Sequence, residues 1–232
     1  MRIKCFIICL TFLLAGVAGS IAAQNVSVYA GASKTLYDGR FYPGLFGDKV
    51  APVYPTFDVK VGWTDNSSSP FASICKHPEV GIGFQFDGVA GVKAANGPGM
   101  GNIYSLYAYF DRPFLTAGRF SLGYSGEFGL GFMFNRRYDP DTNPWNVIIS
   151  SPVNAHISLG LQAQYAISSR YDVGIGLFFN HHSNGAVTFP NYGLNAVELA
   201  MRVGMKSQQR RPGTGPVLVS DGDAQVLLPQ MG

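Results

Sequence analysis

Apolar and polar residues alternate with a period of two along most of this chain. That is the pattern of strands whose successive side chains point to opposite faces. Eight such segments can be read. The first carries Val26, Val28, Ala30 and Ala32, and the second Phe57, Val59, Val61 and Trp63. The third carries Val80, Ile82, Phe84 and Phe86, and the fourth Tyr104, Leu106, Ala108 and Phe110. A long fifth stripe runs from Phe120 to Phe134, and a sixth from Ala155 to Tyr165. The seventh holds Tyr171, Val173, Ile175, Leu177 and Phe179, and the eighth Val197, Leu199, Met201 and Val203. The alternate positions are Gly, Ser, Gln and scattered charge, among them Asp58, Lys60, Glu127, His156, Asp172, Glu198 and Arg202.

A soluble β-sandwich and a transmembrane barrel both alternate, but with opposite sense. The segments here are longer than the usual sandwich strand of about 5 to 6 residues and match the 9 to 11 or so that a membrane crossing requires. Aromatic residues sit near segment ends at Trp63, Phe86, Phe110, Phe134 and Phe179, as interfacial girdles do. The expected fold is all-β: an eight-stranded antiparallel transmembrane β-barrel over residues 24–206, its polar positions filling a narrow interior as a charge network. An even strand number puts both termini on one side. The connections at about 34–54, 87–101, 135–153 and 182–193 then face outward, and those at about 64–78, 111–117 and 167–170 face the periplasm.

Composition agrees. Of 232 residues, 47% are hydrophobic and only 13% charged, about half the charged share of a soluble domain. Arg2 and Lys4, an apolar run over 5–17 and the small residues Ser20 to Ala23 read as a secretory signal peptide over residues 1–23. Cys5 and Cys9 leave with it, so the mature chain keeps Cys75 alone and can form no internal disulfide. The net charge of +3, with no basic block beyond Arg210-Arg211, offers nothing to nucleic acid. Residues 207–232 are polar with Pro and Gly and are expected to form a disordered periplasmic tail. Asp139, Asp141 and Asn143 lack the glycine and terminal glutamate of a calcium loop and are expected to form an ordinary exposed loop.

Candidate chemistry lies at the end of the seventh segment. His181 and Ser183 are two apart and share the lipid-facing parity of Phe179. Asn195 shares parity with Val197 on the next segment. The three can converge on the outer wall at the level of the outer leaflet, as base, nucleophile and orienting group. Glu198 is an alternative third member, although parity turns it inward. His182 and His156 are expected to face the interior.

The run His181-x-Ser183-Asn184-Gly185, followed by Pro190-Asn191-x-Gly193-x-Asn195, resembles the lipid A 3-O-deacylase (PagL-type) family of outer-membrane barrels. The resemblance rests on about 17 residues. It implies a serine esterase acting on lipid A of lipopolysaccharide among outer-membrane lipids, with His181 as general base and Ser183 as nucleophile. Asn184, Gly185 and Asn191 fall where the oxyanion would be stabilised or positioned. No cofactor and no metal are implied. The family's third member is usually a glutamate where this chain has Asn195. Asparagine fills that role in outer-membrane phospholipase A, which the motif also resembles; that family has a larger, twelve-stranded, calcium-using barrel, for which this chain is too short. A phospholipase or other acyl-ester hydrolase, and a non-catalytic structural or adhesive barrel, are the alternative functions. The sequence is compatible with a monomer or a homodimer.

Overall fold

The computed structural model describes residues 25–36, 53–65, 67, 69–92 and 98–206. The expected signal peptide and C-terminal tail lie outside them. Eight antiparallel strands follow one another around a closed barrel: β1 (Asn25–Thr35), β2 (Val53–Thr64), β3 (Glu79–Asp87), β4 (Ile103–Ala117), β5 (Phe120–Phe132), β6 (Val153–Ala166), β7 (Tyr171–Ser183) and β8 (Leu194–Lys206). β1 closes the ring on β8, in a register that pairs Val28 with Val203. Closure leaves no unpaired edge, which a strand crossing lipid requires.

The two faces divide as the alternation predicts. Phe128, Leu159, Leu161, Ile175, Leu199 and Met201 stand exposed on the outer wall, while Tyr29, Lys60, Tyr107, His156 and Phe178 are buried inside. An apolar exterior around a polar interior is the arrangement of a barrel set in lipid. The interior is filled. The Phe178 ring sits over Gly160 and Gly176, where an added Cβ would come within 2.2 and 2.3 Å of it. Those two glycines therefore make the room that the ring occupies.

The buried charges are only partly satisfied by one another. Lys60 Nζ lies 2.7 Å from Glu127 Oε1 and faces the Tyr109 ring at 4.8 Å, and Arg202 pairs with Asp172. Asp58 instead accepts a 2.6 Å bond from the Tyr107 hydroxyl. Glu198 accepts from Thr56 Oγ1 at 2.6 Å and Asn180 Nδ2 at 2.7 Å. Neutral donors thus do half of what the expected charge network would do.

The end that carries the β4–β5 and β6–β7 connections departs from expectation in two places. β4 does not stop near residue 111: it continues through Pro113 to Ala117, with a register shift between Pro113 and Leu115, before a turn at Gly118 (φ +59°). A proline donates no ladder hydrogen bond, and a bulge is one of the few places where a strand absorbs it. Pairing with Gly123, where a Cβ would meet Arg112 O at 2.7 Å, lets the strands stay close there. The β2–β3 connection contains a short helix, α1 (Pro70–Ile74), begun by Ser69 Oγ accepting from Ala72 N at 3.1 Å. Ser-Pro is a helix start signal. The outward-facing Arg112 holds this segment by donating to Ile74 O at 2.9 Å and Cys75 O at 3.3 Å.

At the opposite end, Met100, Ile103, Met133, Ile148, Ile149 and Leu194 form a buried apolar cluster with Val89, Val92, Tyr54 and Ala196. It packs the β3–β4 and β5–β6 connections across the mouth. Leu194 and Ala196, both fully buried, anchor the start of β8 on either side of Asn195. Asp139 in the β5–β6 connection organises a turn, accepting from Thr142 N and Oγ1 at 2.8 Å and Asp141 N at 3.1 Å. The Thr142 backbone bond, then its hydroxyl and the Asp141 amide, hold the Asp139 carboxyl below the ordinary carboxylate range.

Candidate active site

His181 lies near the end of β7, with Ile157 of β6 on one side and Asn195 of β8 on the other. Phe179, His181 and Ser183 alternate with the buried Asn180 and His182, so the first three face outward. His181 and Ser183 are half-buried on the lipid-facing wall. Residues two apart on a strand stand on one face, and directly opposed residues on neighbouring strands have Cβ atoms about 5 Å apart. Both relations meet at His181.

The contacts are short. His181 Nε2 is 2.8 Å from Ser183 Oγ, and His181 Nδ1 is 2.7 Å from Asn195 Oδ1. An amide oxygen can only accept, so Nδ1 carries the proton and donates it to Asn195. Nε2 is then left with a lone pair toward the serine hydroxyl, which donates. A hydroxyl held by the basic nitrogen of an oriented imidazole is a set of groups able to deliver a serine nucleophile. Glu198, the alternative third member, is not brought to His181. It is buried in the interior among Thr56, Asn180 and Gln85. His182 is also interior, 2.9 Å from His156 Nδ1 and 3.1 Å from Ser105 Oγ.

The β7–β8 connection folds back over the pair. Gly185 and Ala186 both have φ of +63°, and Gly193 has φ of +70°. Gly193 is a close neighbour that strand parity alone does not single out. A Cβ on it would lie 3.2 Å from both His181 Cε1 and Ser183 Cβ, and 3.0 Å from His182 O. The signal in the sequence is the Pro-Asn-x-Gly run, a turn composition.

Asn184 is not free to face Ser183. Its side-chain amide donates to Thr188 Oγ1 at 2.8 Å, Thr188 O at 3.1 Å and Ser150 Oγ at 3.2 Å. It is a clasp between the β7–β8 and β5–β6 connections. Ser150 Oγ also lies 2.8 Å from Thr188 Oγ1. Tyr192 N donates to Val147 O at 3.2 Å, and Gly193 N to Ile148 O at 3.0 Å. Asn191 Oδ1 accepts from Asn184 N at 3.3 Å. With its oxygen fixed in that way, the Asn191 amide nitrogen has no acceptor among the described residues, and neither do the backbone N–H groups of Gly185 and Ala186.

No group of three or more His, Cys, Asp or Glu side chains among the described residues is arranged to hold a metal.

A comparison with curated proteins gave no match. Among solved structures, the chain is similar to the outer membrane enzyme PagL, at 17% identity over 77% of this chain and 97% of that one, with a TM-score of 0.46. It is similar to Neisserial surface protein A at 14% identity over 78% and 96%, with a TM-score of 0.47. It is similar to the Yersinia pestis outer membrane protein Ail at 12% identity over 79% and 99%, with a TM-score of 0.39. The family profile described as lipid A 3-O-deacylase (PagL) matches residues 57–204, more than half of the chain. The closed barrel and its apolar outer wall are those of a Gram-negative outer-membrane protein. By the extent of that profile match, the chain belongs to the lipid A 3-O-deacylase (PagL) family.

Proposed function

We propose that this chain is an outer-membrane serine esterase that removes an ester-linked acyl chain from lipid A. The observation that carries the reading is the hydrogen-bonded series Ser183–His181–Asn195 on the lipid-facing wall, at the end that bears the long connections. Lipopolysaccharide occupies the outer leaflet, so a nucleophile placed there meets acyl esters without extracting them from the bilayer.

In the proposed reaction, His181 Nε2 takes the Ser183 proton as Oγ attacks the ester carbonyl. Asn195 holds Nδ1–H, and with it the tautomer, throughout. The oxyanion falls to the unoccupied donors of the β7–β8 connection: the Asn191 amide and the N–H groups of Gly185 and Ala186. The imidazolium returns its proton to the departing sugar hydroxyl, leaving an acyl-serine. Water, deprotonated by His181, then releases the fatty acid and restores Ser183. Ile157, Phe179 and Val197 border the site on the outer wall, where they offer the acyl chain an apolar surface in line with the bilayer.

Mass spectrometry of lipid A from cells expressing the wild type and Ser183→Ala tests this. One acyl chain should be missing with the wild type alone. Unchanged lipid A with serine-dependent fatty acid release from glycerophospholipid would make the chain a phospholipase. No serine-dependent product from either lipid would leave a non-catalytic barrel.

A further inference from the structure

The outward-facing positions of the eight strands carry only two lysine or arginine residues among the described residues, and no carboxylate. One is Arg112, at the periplasmic end. Its guanidinium is occupied by the carbonyls of Ile74 and Cys75 and by the Tyr124 hydroxyl at 3.1 Å. The other is Lys34, at the opposite end of β1. Lys34 is exposed and makes no hydrogen bond or ion pair among the described residues. A cation on a lipid-facing wall is tolerated near the interface and disfavoured toward the bilayer centre. Arg112 has a structural task there, and Lys34 has none among the described residues.

Its position relative to the Ser183–His181 pair is fixed by the ladder. Lys34 pairs with Val197, two residues beyond Asn195 on β8, and Leu36 N donates to Asn195 O at 2.9 Å. Two inter-strand steps and two residues of strand rise put the Lys34 Cα about 12 Å from the His181 Cα, on the same wall. From there the flexible stem can lift the ammonium toward the headgroup layer. Val197 is the outward-facing β8 residue beside Lys34 and next after Asn195 on that face, so one amphiphile can span the two groups, its ester at Ser183 and its phosphate at the raised ammonium.

We propose that Lys34 binds a phosphate on the headgroup of the acylated sugar lipid whose ester lies at Ser183, and so orients that lipid on the wall. A lysine ammonium binds phosphate as a mobile point charge, and basic groups at a bilayer surface attract anionic headgroups. This assignment rests on the reading of Ser183 as the nucleophile facing a lipid ester. Lys34 is then a specificity-determining residue: it selects phosphorylated lipid and sets its direction.

Binding to Ser183→Ala protein in detergent micelles tests it without turnover. The probes are bisphosphorylated lipid A, the same lipid with both phosphates removed, phosphatidylglycerol and inorganic phosphate. Adding Lys34→Gln should weaken binding of the bisphosphorylated lipid by about three- to fivefold, the scale of one partly screened charge pair. It should leave the dephosphorylated lipid unaffected, and Lys34→Arg should restore the affinity. Equal loss for both lipid A forms, or no loss, overturns the assignment. An equal Lys34 dependence for phosphatidylglycerol or inorganic phosphate also overturns it, since the site would then be a general anion contact. If phosphate-dependent binding through Lys34 is seen while wild-type protein cleaves no lipid, the phosphate contact at Lys34 stands, while the esterase reading falls and with it the orienting of an ester at Ser183. Serine-dependent cleavage indifferent to both phosphate and Lys34 keeps the esterase reading and removes the lysine assignment.

Discussion

His181 and Asn195 face each other across the β7–β8 ladder with Nδ1 and Oδ1 2.7 Å apart. An asparagine in this place fixes a tautomer and an orientation but brings no negative charge to an imidazolium. Replacing it with alanine removes the acceptor, frees the ring to turn and lets the other tautomer form. Asn195→Ala should lower kcat by about 10²-fold, within the range of general-base contributions. Asn195→Glu, which keeps an acceptor and adds charge, should keep or raise activity. Steady-state hydrolysis of lipid A in micelles measures both, and complete loss in the glutamate variant would refute the orienting role.

Gly193 closes over the same pair from the far side of the connection. Its φ of +70° strains any L side chain, and a Cβ 3.2 Å from His181 Cε1 would make its neighbours give by a few tenths of an ångström. Gly193→Ala should shift His181 or Ser183 slightly and reduce kcat by about tenfold, less than the roughly 10²-fold that a misplacement of about 1 Å costs. The barrel should still fold, because its ladder does not depend on this residue. Heat-modifiable migration on gels, read beside activity, separates the two effects. Full activity in a folded variant would count against the close packing.

The barrel is legible in the sequence because its governing rule is local. Parity decides which face a residue takes, and a closed sheet with short connections decides which strands are neighbours. The same two rules bring His181, Ser183 and Asn195 together, as one i, i+2 relation and one cross-strand relation. What is not legible comes from contacts with neither property. The persistence of β4 through Pro113 depends on a bulge, where the proline by itself signals a break. The bonds from Ser150 to Asn184 and Thr188 join residues about 35 positions apart in connections whose path has no period. For the same reason the side-chain amide of Asn184, which the motif suggests for the oxyanion, is found tied to a neighbouring connection.

Phe178 gives a stability prediction. Its ring fills interior space made by Gly160 and Gly176 and meets Tyr29 edge-on at 5.8 Å between centroids. Phe178→Ala leaves a void that two glycines cannot close. Unfolding in micelles should show a loss of about 3 to 5 kcal/mol. A loss under about 1 kcal/mol, less than the burial of a small alkyl group yields, would mean that the interior relaxes around the gap.

The turn at Asp139 sets a pH limit for the β5–β6 connection. Its carboxyl is held below the ordinary range by the Thr142 backbone bond first, then by the Thr142 hydroxyl and the Asp141 amide. A depressed folded-state pKa means that the stabilisation is complete above the unfolded value and disappears as pH falls through the folded one. The turn should therefore persist at neutral and mildly acidic pH and loosen only below the usual carboxylate range. The Thr142 amide resonance reports this directly. A midpoint at or above an unperturbed aspartate would show that the bonds do not favour the charged form.

The clasp between the two outward connections should act as a unit. Asn184 donates to both Ser150 and Thr188, and Ser150 also bonds Thr188. Asn184→Ala should lower kcat/KM by about five- to tenfold, the cost of roughly one net hydrogen bond's worth of ordering around the Asn191 amide and the Gly185 turn. Ser150→Ala removes part of the same network, so its effect should not add to that of Asn184→Ala. Residues that share partners couple by about 0.5 to 3 kcal/mol. A double-mutant cycle in kcat/KM measures the coupling. Simple additivity would show that the two connections are held independently and that the β5–β6 connection does not brace the Ser183–His181 pair.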